Sequence, residues 1–438
     1  MIAPLLFAAM LAAQDTSHLT LAEAVRHALA QHPSVGAARA EQDAAAAGVG
    51  QARAARFPQL AGSFGWTRSG YPNIVYPLHG LANLATNPPL FDRNVTQGTL
   101  NLGYTLYDFG ARGSRVRLAE SQARRAGAAL DATEAALVAQ VADAYLNVLT
   151  TRGVLQAQEQ DVAALRAEAD RVARMEAEGK AARVDVLRVA AEVSRARANQ
   201  VATAAQLSVE ERALAQLTGL PVDSTCAANL VALRLADSTV ASREALVAQA
   251  ATASPEVEQA RRAADAARAS AGVARAAYFP QLRLSAAYLE FGRGLSAFKP
   301  EWNASLQISY PIFTGFGRAS AVRQSDAEAR AAAERVRSAE QSAEQAVDAA
   351  LASVSAARAT VEALETAVAQ FAEVERIRQL SLQVGSGTET DYLEAEATLL
   401  STRASLVQAQ HAEMAARVEL ARVTGELSPE WLARTLVQ

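Results

Sequence analysis

Two carboxylates three residues apart, Asp391 and Glu394, follow the run Val384-Gly385-Ser386-Gly387-Thr388-Glu389-Thr390. That spacing puts both on one face of a helix. Such a face can attract cations, or it can simply complement the positive end of the helix dipole. Asp185 takes the matching place in an earlier stretch, beside Arg183. Other residues with chemical potential fail on context. His18, His27, His32, His79 and His411 have no Cys partners, and only His27 and His32 lie close, with Pro33 marking a boundary there. Metal ligation is not expected from that pattern. Asp108-Phe109-Gly110 matches a kinase metal-binding triplet, yet no phosphate-cradling Gly loop or catalytic loop accompanies it, and it ends a strand pattern. Gly48-Val49-Gly50 has no preceding strand and no third Gly, so it is not a dinucleotide loop. Cys226 is the single Cys, which excludes an intrachain disulfide and argues against a Cys-based metal site. No cofactor is expected, and the chain reads as a non-enzyme.

Composition agrees. Half of the 438 residues are apolar but only 5% are aromatic, and Ala supplies much of the apolar count. Ala suits closely packed helices better than a bulky globular core. The net charge is −4, with basic and acidic residues interspersed as on solvated helix faces, so nucleic acid is not an expected partner. Met1 to Ala13 carries no charged side chain. It is too short to span a bilayer but suits the apolar region of a secretory signal, expected over 1–14. It departs from the usual pattern in lacking an early Lys or Arg. No Cys follows it, which argues against a lipid anchor there. No other stretch approaches 18 unbroken apolar residues, so no transmembrane helix is expected.

The acids must be positioned by long helices. Arg318 to Val384 runs 67 residues without Pro or Gly. Val347, Leu351, Val354, Val361, Leu364, Val368 and Phe371 trace a heptad seam along it. At ~1.5 Å per residue this makes a rod of roughly 100 Å. Arg112 to Glu178, also 67 residues and Pro-free, lies 206 positions earlier, with Leu130, Leu137, Val141, Ala144 and Val148 in its seam. The earlier landmarks Phe57-Pro58-Gln59-Leu60 and Phe279-Pro280-Gln281-Leu282 repeat at an offset of 222, so the first copy carries 16 extra residues between its strands. Arg68 to Arg93 holds them as an aperiodic loop, against a short loop at about 290–301.

Four strands are expected, at about 59–68, 94–107, 281–290 and 302–312. Leu100, Leu102, Tyr104 and Leu106 share one face and Thr99, Asn101, Gly103 and Thr105 the other; Leu306, Ile308 and Tyr310 continue the theme in the last strand. Each copy thus reads helix, strand, strand, long helix (111–178 and 317–384), return helix. The first repeat spans 15–221, a linker 222–242, the second repeat 243–425 and a tail 426–438. Nothing else in the chain looks like a layer to cover the sheet. An apolar face meeting lipid and a polar face meeting water would resolve that. Four strands cannot close a barrel, and open edges are not tolerated in hydrocarbon, so other copies must complete it. Three copies supply twelve strands. The competing class, a soluble coiled-coil scaffold, explains the rods but not the duplicated alternating strands or the signal-like start.

The ordered set resembles the TolC family of outer-membrane efflux proteins over residues 19–425. It comprises Leu21-Ala22-Glu23-Ala24-Val25 with His32-Pro33, the two Phe-Pro-Gln-Leu segments, and the joints Tyr107 to Arg112 and Phe313 to Arg318. Gly179 and Gly385, each six residues before an Asp, complete it. The resemblance implies a mainly helical fold with a β-barrel portion. A homotrimer would form a twelve-stranded outer-membrane barrel, continued by a periplasmic α-helical tunnel. It implies passive export of drugs, metals or other toxic compounds, with a periplasmic adaptor (membrane fusion) protein and an inner-membrane transporter as partners. Export of a secreted protein is the alternative within the same fold. Leu100, Leu102, Tyr104, Leu306, Ile308 and Tyr310 would face outer-membrane lipid. The turns at Gly179, Gly385 and Gly387 would be the adaptor-docking tips. Asp185, Asp391 and Glu394 would form the periplasmic constriction, with Asp391 and Glu394 giving six carboxylates in a ring. At the positions where the family's best-studied gate carries a bonded Tyr, Arg, Thr and Asp, this chain has Leu382, Gly387, Val184 and Asp185, and only Asp185 keeps its type. A looser closed state, held by helix packing, is therefore expected.

Overall fold

The computed structural model describes residues 19–80, 88–222, 230–236, 240–384 and 386–437. The expected signal segment, Cys226 and Gly385 lie outside the described residues. In chain order the elements are α1 (Leu21–Gln31), α2 (Pro33–Ala54), β1 (Gln59–Ile74), β2 (Phe91–Tyr107), α3 (Ala111–Ala177) and α4 (Arg183–Thr218). A two-residue strand, β3 (Arg234–Leu235), follows. Then come α5 (Arg243–Ala253), α6 (Pro255–Ala276), β4 (Gln281–Arg293), β5 (Ser296–Ser309), α7 (Gly317–Gln383) and α8 (Glu389–Thr424), and finally α9 (Pro429–Thr435) and β6 (Leu436–Val437). The duplication is complete: α3 and α7 are 67 residues each, α4 and α8 36 each.

Three details depart from the sequence reading. The stretch Arg68–Arg93, expected as an aperiodic loop, is strand at both ends: β1 runs on to Ile74 and β2 begins at Phe91. The turn-prone Ser69, Gly70, Tyr71 and Pro72 sit in a register shift between Arg68 and Asn73, where β1 carries more residues than its partner. The expected loop at 290–301 is likewise replaced, because β4 and β5 are joined by Gly294 and Leu295 alone, with Gly294 at φ 58°. β5 stops at Ser309, so Tyr310 lies beyond the strand, ahead of Pro311.

The chain divides into two units, each drawing on both repeats. One takes in Met1–Arg39, Ala129–Glu258 and Ser338–Gln438. Its core gathers Leu21, Val25 and Val35 with Leu137, Val141 and Val148 of α3 and Val418 of α8. A second cluster joins Leu246 and Val257 to Val347, Val354 and Leu420. Val347, Val354 and Val361 are buried at seven-residue steps; Leu364 and Val368 are only partly buried, and Phe371 is 36% exposed. The apolar seam therefore fades toward the α7–α8 turn. The linker and the tail meet as the antiparallel pair β3–β6. Tyr145 ties this unit together: wholly buried, it donates to the Leu19 carbonyl (2.8 Å) and accepts the Val231 N–H (2.8 Å). Burial pushes its phenol up to about 12.

The return helices end alike. Thr218 and Thr424 are buried, and their hydroxyls donate to the carbonyls of Leu214 and Leu420. Gly219 (φ 72°) and Gly425 (φ 75°) then take the left-handed cap. A Cβ on Gly219 would stand 2.9 Å from the flexible Gln31 side chain, at the end of α1; one on Gly425 would overlap the Ala253 backbone, at the end of α5.

The other unit comprises Ala40–Ala128 and Gln259–Arg337. It holds the antiparallel sheet in the order β1-β2-β4-β5, which leaves the outer edges of β1 and β5 unpaired among the described residues. Arg53–Glu120 and Arg275–Asp326 ion pairs (2.7 Å each) fasten α2 to α3 and α6 to α7 beside it.

Gly219→Ala should cost about 1 kcal/mol, the strain of the left-handed backbone alone. Gly425→Ala should cost roughly 3 kcal/mol, since backbone cannot move aside as Gln31 can. Thermal unfolding of the two variants checks this, and equal shifts would contradict it. His411 of α8 offers a pH test. Its Nδ1 lies 2.5 Å from Thr150 Oγ1, and burial holds its pKa below the ordinary 6.5. The unfolded chain then takes up the proton first, so stability should fall as pH drops below about 6.5. His411→Gln should lose that part of the slope in melting scans from neutral to mildly acidic pH.

Candidate functional site

Two features can act beyond holding the fold: the two faces of the sheet, and the turns between the long helices and their return helices. Strand register sets the first. Leu60, Leu102, Ala286 and Ala304 stand opposite one another across all four strands, as do Gly62, Leu100, Tyr288 and Trp302; Tyr104, Leu284 and Leu306 form a further row. Partners directly opposite share a face, so these rows make one continuous apolar surface. It is open: Trp302 is 76% and Ile308 72% exposed. The other face is polar. Ser63 and Thr99 share a hydroxyl hydrogen bond (2.6 Å), as do Ser285 and Ser305 (2.7 Å), and Asn101, Asn303 and Gln307 lie among them. Leu100, Leu102, Tyr104, Leu306 and Ile308 thus all lie on the apolar face. Tyr310 lies one residue past the strand end and is half exposed, its ring 5.6 Å from the Arg318 guanidinium, much as the Tyr104 ring lies 6.0 Å from that of Arg112.

At one end of the sheet, the strands pass into helices through two arginine-held joints. Asp108 is buried and accepts from the backbone N–H of Arg112 (2.9 Å) and from Arg112 Nε (3.0 Å). It caps the first turn of α3 while Phe109 (φ 51°) and Gly110 (φ 88°) make the corner. The triplet that matches a kinase motif is therefore a cap. In the second copy Thr314 stands in for Asp108, and Arg318 reaches the carbonyls of Pro311 (2.5 Å) and Ala277 (3.5 Å) and the ring of Tyr278. Exposed aromatic rings surround the joints. Phe109 stacks on Phe279 at 5.1 Å with Tyr107 edge-on at 4.7 Å, and Phe313 meets Phe316 at 5.7 Å.

The turns differ between copies. After α3, Gly179 (φ 73°) donates to the Glu176 carbonyl and Lys180 to that of Met175, both at 2.8 Å, a Schellman ending. The first turn of α4 holds Asp185, whose carboxylate accepts the Ala182 N–H at 3.3 Å. After α7, Ser386 and Gly387 both donate to the Ser381 carbonyl (2.9 and 3.0 Å). A Cβ on Gly387 would stand 3.1 Å from Ser381 Cβ, so this turn is closely wound. Thr388 caps α8 by accepting the Asp391 N–H (3.2 Å). Asp391 itself faces Arg378 of α7, Oδ2 to Nη1 3.8 Å. Glu394 is exposed and makes no ion pair among the described residues. Next to Asp391, burial, then the nearby Glu396 and Glu375 carboxylates, push the Tyr392 phenol up.

Comparison with known proteins decides the family. The family model for outer membrane efflux protein matches residues 24–220 and 246–426. The chain belongs to that family. Protein CyaE of Bordetella pertussis is 31% identical over 71% of this chain, and the match spans 64% of that protein's own length. Outer membrane protein TolC of Vibrio cholerae is 25% identical over 94% of this chain and 91% of its own. The crystal structure of the outer membrane protein VceC, also from Vibrio cholerae, superposes with a TM-score of 0.76, covering 92% of this chain and 96% of that one at 22% identity, a likeness of fold. As an outer membrane efflux protein, the chain is mainly helical and duplicated, contributes four strands to an outer-membrane barrel, and extends into the periplasm. No described helix is long and apolar enough to cross a membrane; the strands do so.

Membership also gives the aromatic rings a setting, since such girdles sit where a barrel wall meets the membrane–water boundary. Sequence reasoning missed Arg378 and Glu375. Both lie on α7 and meet α8 across the turn, 13 and 17 residues before their partners, a separation that periodicity along one helix does not reveal. The visible signal was charge complementarity across a Gly-containing turn. It also missed Asp108 as a cap, although Asp before a helix start carries that signal.

Proposed function

We propose that this chain is the outer-membrane exit duct of a tripartite efflux system, carrying small toxic molecules passively from the periplasm and an inner-membrane transporter to the exterior. The observation that carries this reading is the sheet, with a continuous apolar face, a polar face and two free edges. Edge amides and carbonyls in hydrocarbon must be paired, so β5 of one copy joins β1 of the next. Three copies close twelve strands around a water-filled lumen lined by Ser63, Thr99, Asn101 and Ser305. Leu100, Leu102, Leu306 and Ile308 then meet outer-membrane lipid. The turns that include Gly179, Gly385 and Gly387 are the ends offered to a periplasmic adaptor protein.

Asp185, Asp391 and Glu394 line the inner constriction in this reading. The three differ in freedom. Asp185 serves its own helix cap, Asp391 is tethered to Arg378 in the same chain, and Glu394 is open. Glu394 therefore supplies most of the field that favours cations. Both partners of the Arg378–Asp391 pair are half exposed, so it stabilises the fold by no more than about 1 kcal/mol. Its removal acts on charge and helix spacing rather than on stability.

Fractionation is the first test. The protein should sit in outer membranes and run, unboiled, as a band near three times the 46.1 kDa chain mass that collapses on heating. A soluble, heat-insensitive monomer would end the duct reading. In planar bilayers, Glu394→Gln should reduce cation preference more than Asp391→Asn. Arg378→Ala should increase it by freeing Asp391, and Asp185→Ala should leave conductance within about two-fold of wild type. A large rise with Asp185→Ala would show a specific lock at that residue and contradict closure by helix packing.

A further inference from the structure

The residues just after β1 do not project away from the sheet. Val75 and Tyr76 are 2% and 8% exposed, in a unit whose sheet is otherwise open on both sides. Val75 donates to the Leu90 carbonyl (2.8 Å), which holds the two ends of the connection together. The Tyr76 hydroxyl donates to the Ala297 carbonyl at 2.5 Å, and Lys299 Nζ lies 4.4 Å from the centre of the Tyr76 ring. His79 Nε2 is 2.5 Å from Glu301 Oε1. A short 3-10 turn, Leu78–Gly80, carries that His. Three contacts, from Tyr76 and His79, thus bind the segment Val75–Gly80 to β5.

Register tells which face of β5 it covers. Glu301 stands opposite Leu289, which stands opposite Thr99, itself opposite Ser63. Lys299 stands opposite Phe291, and Phe291 opposite Gln97. These are the polar rows, one residue out of phase with Trp302, Ala304 and Leu306 of the apolar face. Leu289 and Phe291 are the exceptions to their polarity: near the β4–β5 turn, the polar face carries apolar side chains that water would penalise. A segment bearing a buried Val and a buried Tyr answers that need. The apolar face at the same level carries Phe298, packed over Gly292, and does not receive the segment.

We infer that Val75–Gly80 lies on the lumen wall and narrows the outer mouth of the duct, held there by the Tyr76–Lys299 and His79–Glu301 contacts. This rests on the barrel reading proposed above, in which the polar face is the lumen. Each of three copies then brings one Tyr, one Lys and one His–Glu pair to the same level. The mouth is lined by aromatic rings and by charges of both signs, so it sorts cargo by width more than by net charge. The charged groups that touch the segment are Lys299 and Glu301 of β5, and the Arg293–Asp92 pair lies near the same turn.

Accessibility from outside the cell tests this without depending on the periplasmic end. In a Cys226→Ser background, Asn101→Cys puts a thiol on the exposed polar face beyond the segment, and Leu295→Cys puts one at the β4–β5 turn. Intact cells are treated with a maleimide carrying a bulky polyethylene glycol. Leu295→Cys should react readily and Asn101→Cys slowly. Adding Tyr76→Ala or His79→Ala should speed labelling of Asn101→Cys roughly ten-fold, the change expected when one contact of about 1.4 kcal/mol stops holding the segment closed. Tyr76→Phe, which removes only the bond to Ala297, should give a smaller increase and guards against misfolding of the larger truncation. Equal labelling of Asn101→Cys with and without these substitutions, fast or slow, overturns the constriction. Failure of Leu295→Cys to react at all overturns the barrel reading itself.

Discussion

An unpaired backbone edge cannot rest in hydrocarbon, and much of this structure follows from that constraint. The four strands satisfy one another in the order β1-β2-β4-β5 and leave two edges. Each unsatisfied amide or carbonyl in lipid costs several kcal/mol, and each edge strand holds more than a dozen residues. No side-chain arrangement within one chain offsets that sum. The duct is therefore a property of the assembly, and the sheet face, the aromatic girdle and the lumen acquire meaning only when edges meet. The same argument explains why the apolar rows run unbroken to both edges, at Leu60 on β1 and at Leu306 and Ile308 on β5.

Where strand becomes helix, the backbone must change period within a few residues, and each copy solves this with one arginine. Arg112 and Arg318 occupy equivalent positions and share two partners, the carbonyl of Leu106 or Ile312 and the ring of Tyr104 or Tyr310. Beyond these, Asp108 gives Arg112 a buried carboxylate, while Arg318 takes the carbonyls of Pro311 and Ala277 and the ring of Tyr278. A planar guanidinium can do either, which an ammonium could not. The joint next to the girdle is thus fixed in geometry while its chemistry is free to drift between copies.

Much of this was legible in the chain itself. The long helices announce themselves by composition and by the heptad of Val347, Val354 and Val361, because a helix repeats its environment every turn. The strands are legible wherever alternation is strict, as at Leu100, Leu102 and Tyr104. Legibility stops where partners are distant or the local signal misleads. Ser69 to Pro72 reads as a loop, yet the register shift absorbs these residues and the strand continues. β3 and β6 are two residues each and find one another across half the chain, which no local period can reveal. At the candidate constriction, the positions of Asp185, Asp391 and Glu394 were visible, while their inequality was not. That inequality depends on Arg378, whose approach to Asp391 is set by how tightly Gly387 lets the turn close.

The two repeats are most alike in the middle and least alike at their ends. Thr218-Gly219 and Thr424-Gly425 end their helices with the same bonds, and the long helices have equal length. Those positions answer only to packing, which both copies meet in the same way. At the inner turns, one copy ends in a Schellman cap at Gly179, while the other winds Ser386 and Gly387 onto Ser381 and brings an Arg to its Asp. At the outer turns, one copy closes in two residues, Gly294 and Leu295, while the other spends its extra length on a segment that returns to the polar face of the sheet. A duct assembled from three identical chains has only threefold symmetry to work with. Divergence between its internal copies is what lets alternate elements around the wall take different tasks, as the proposed narrowing by the first repeat and the proposed constriction charge of the second would require.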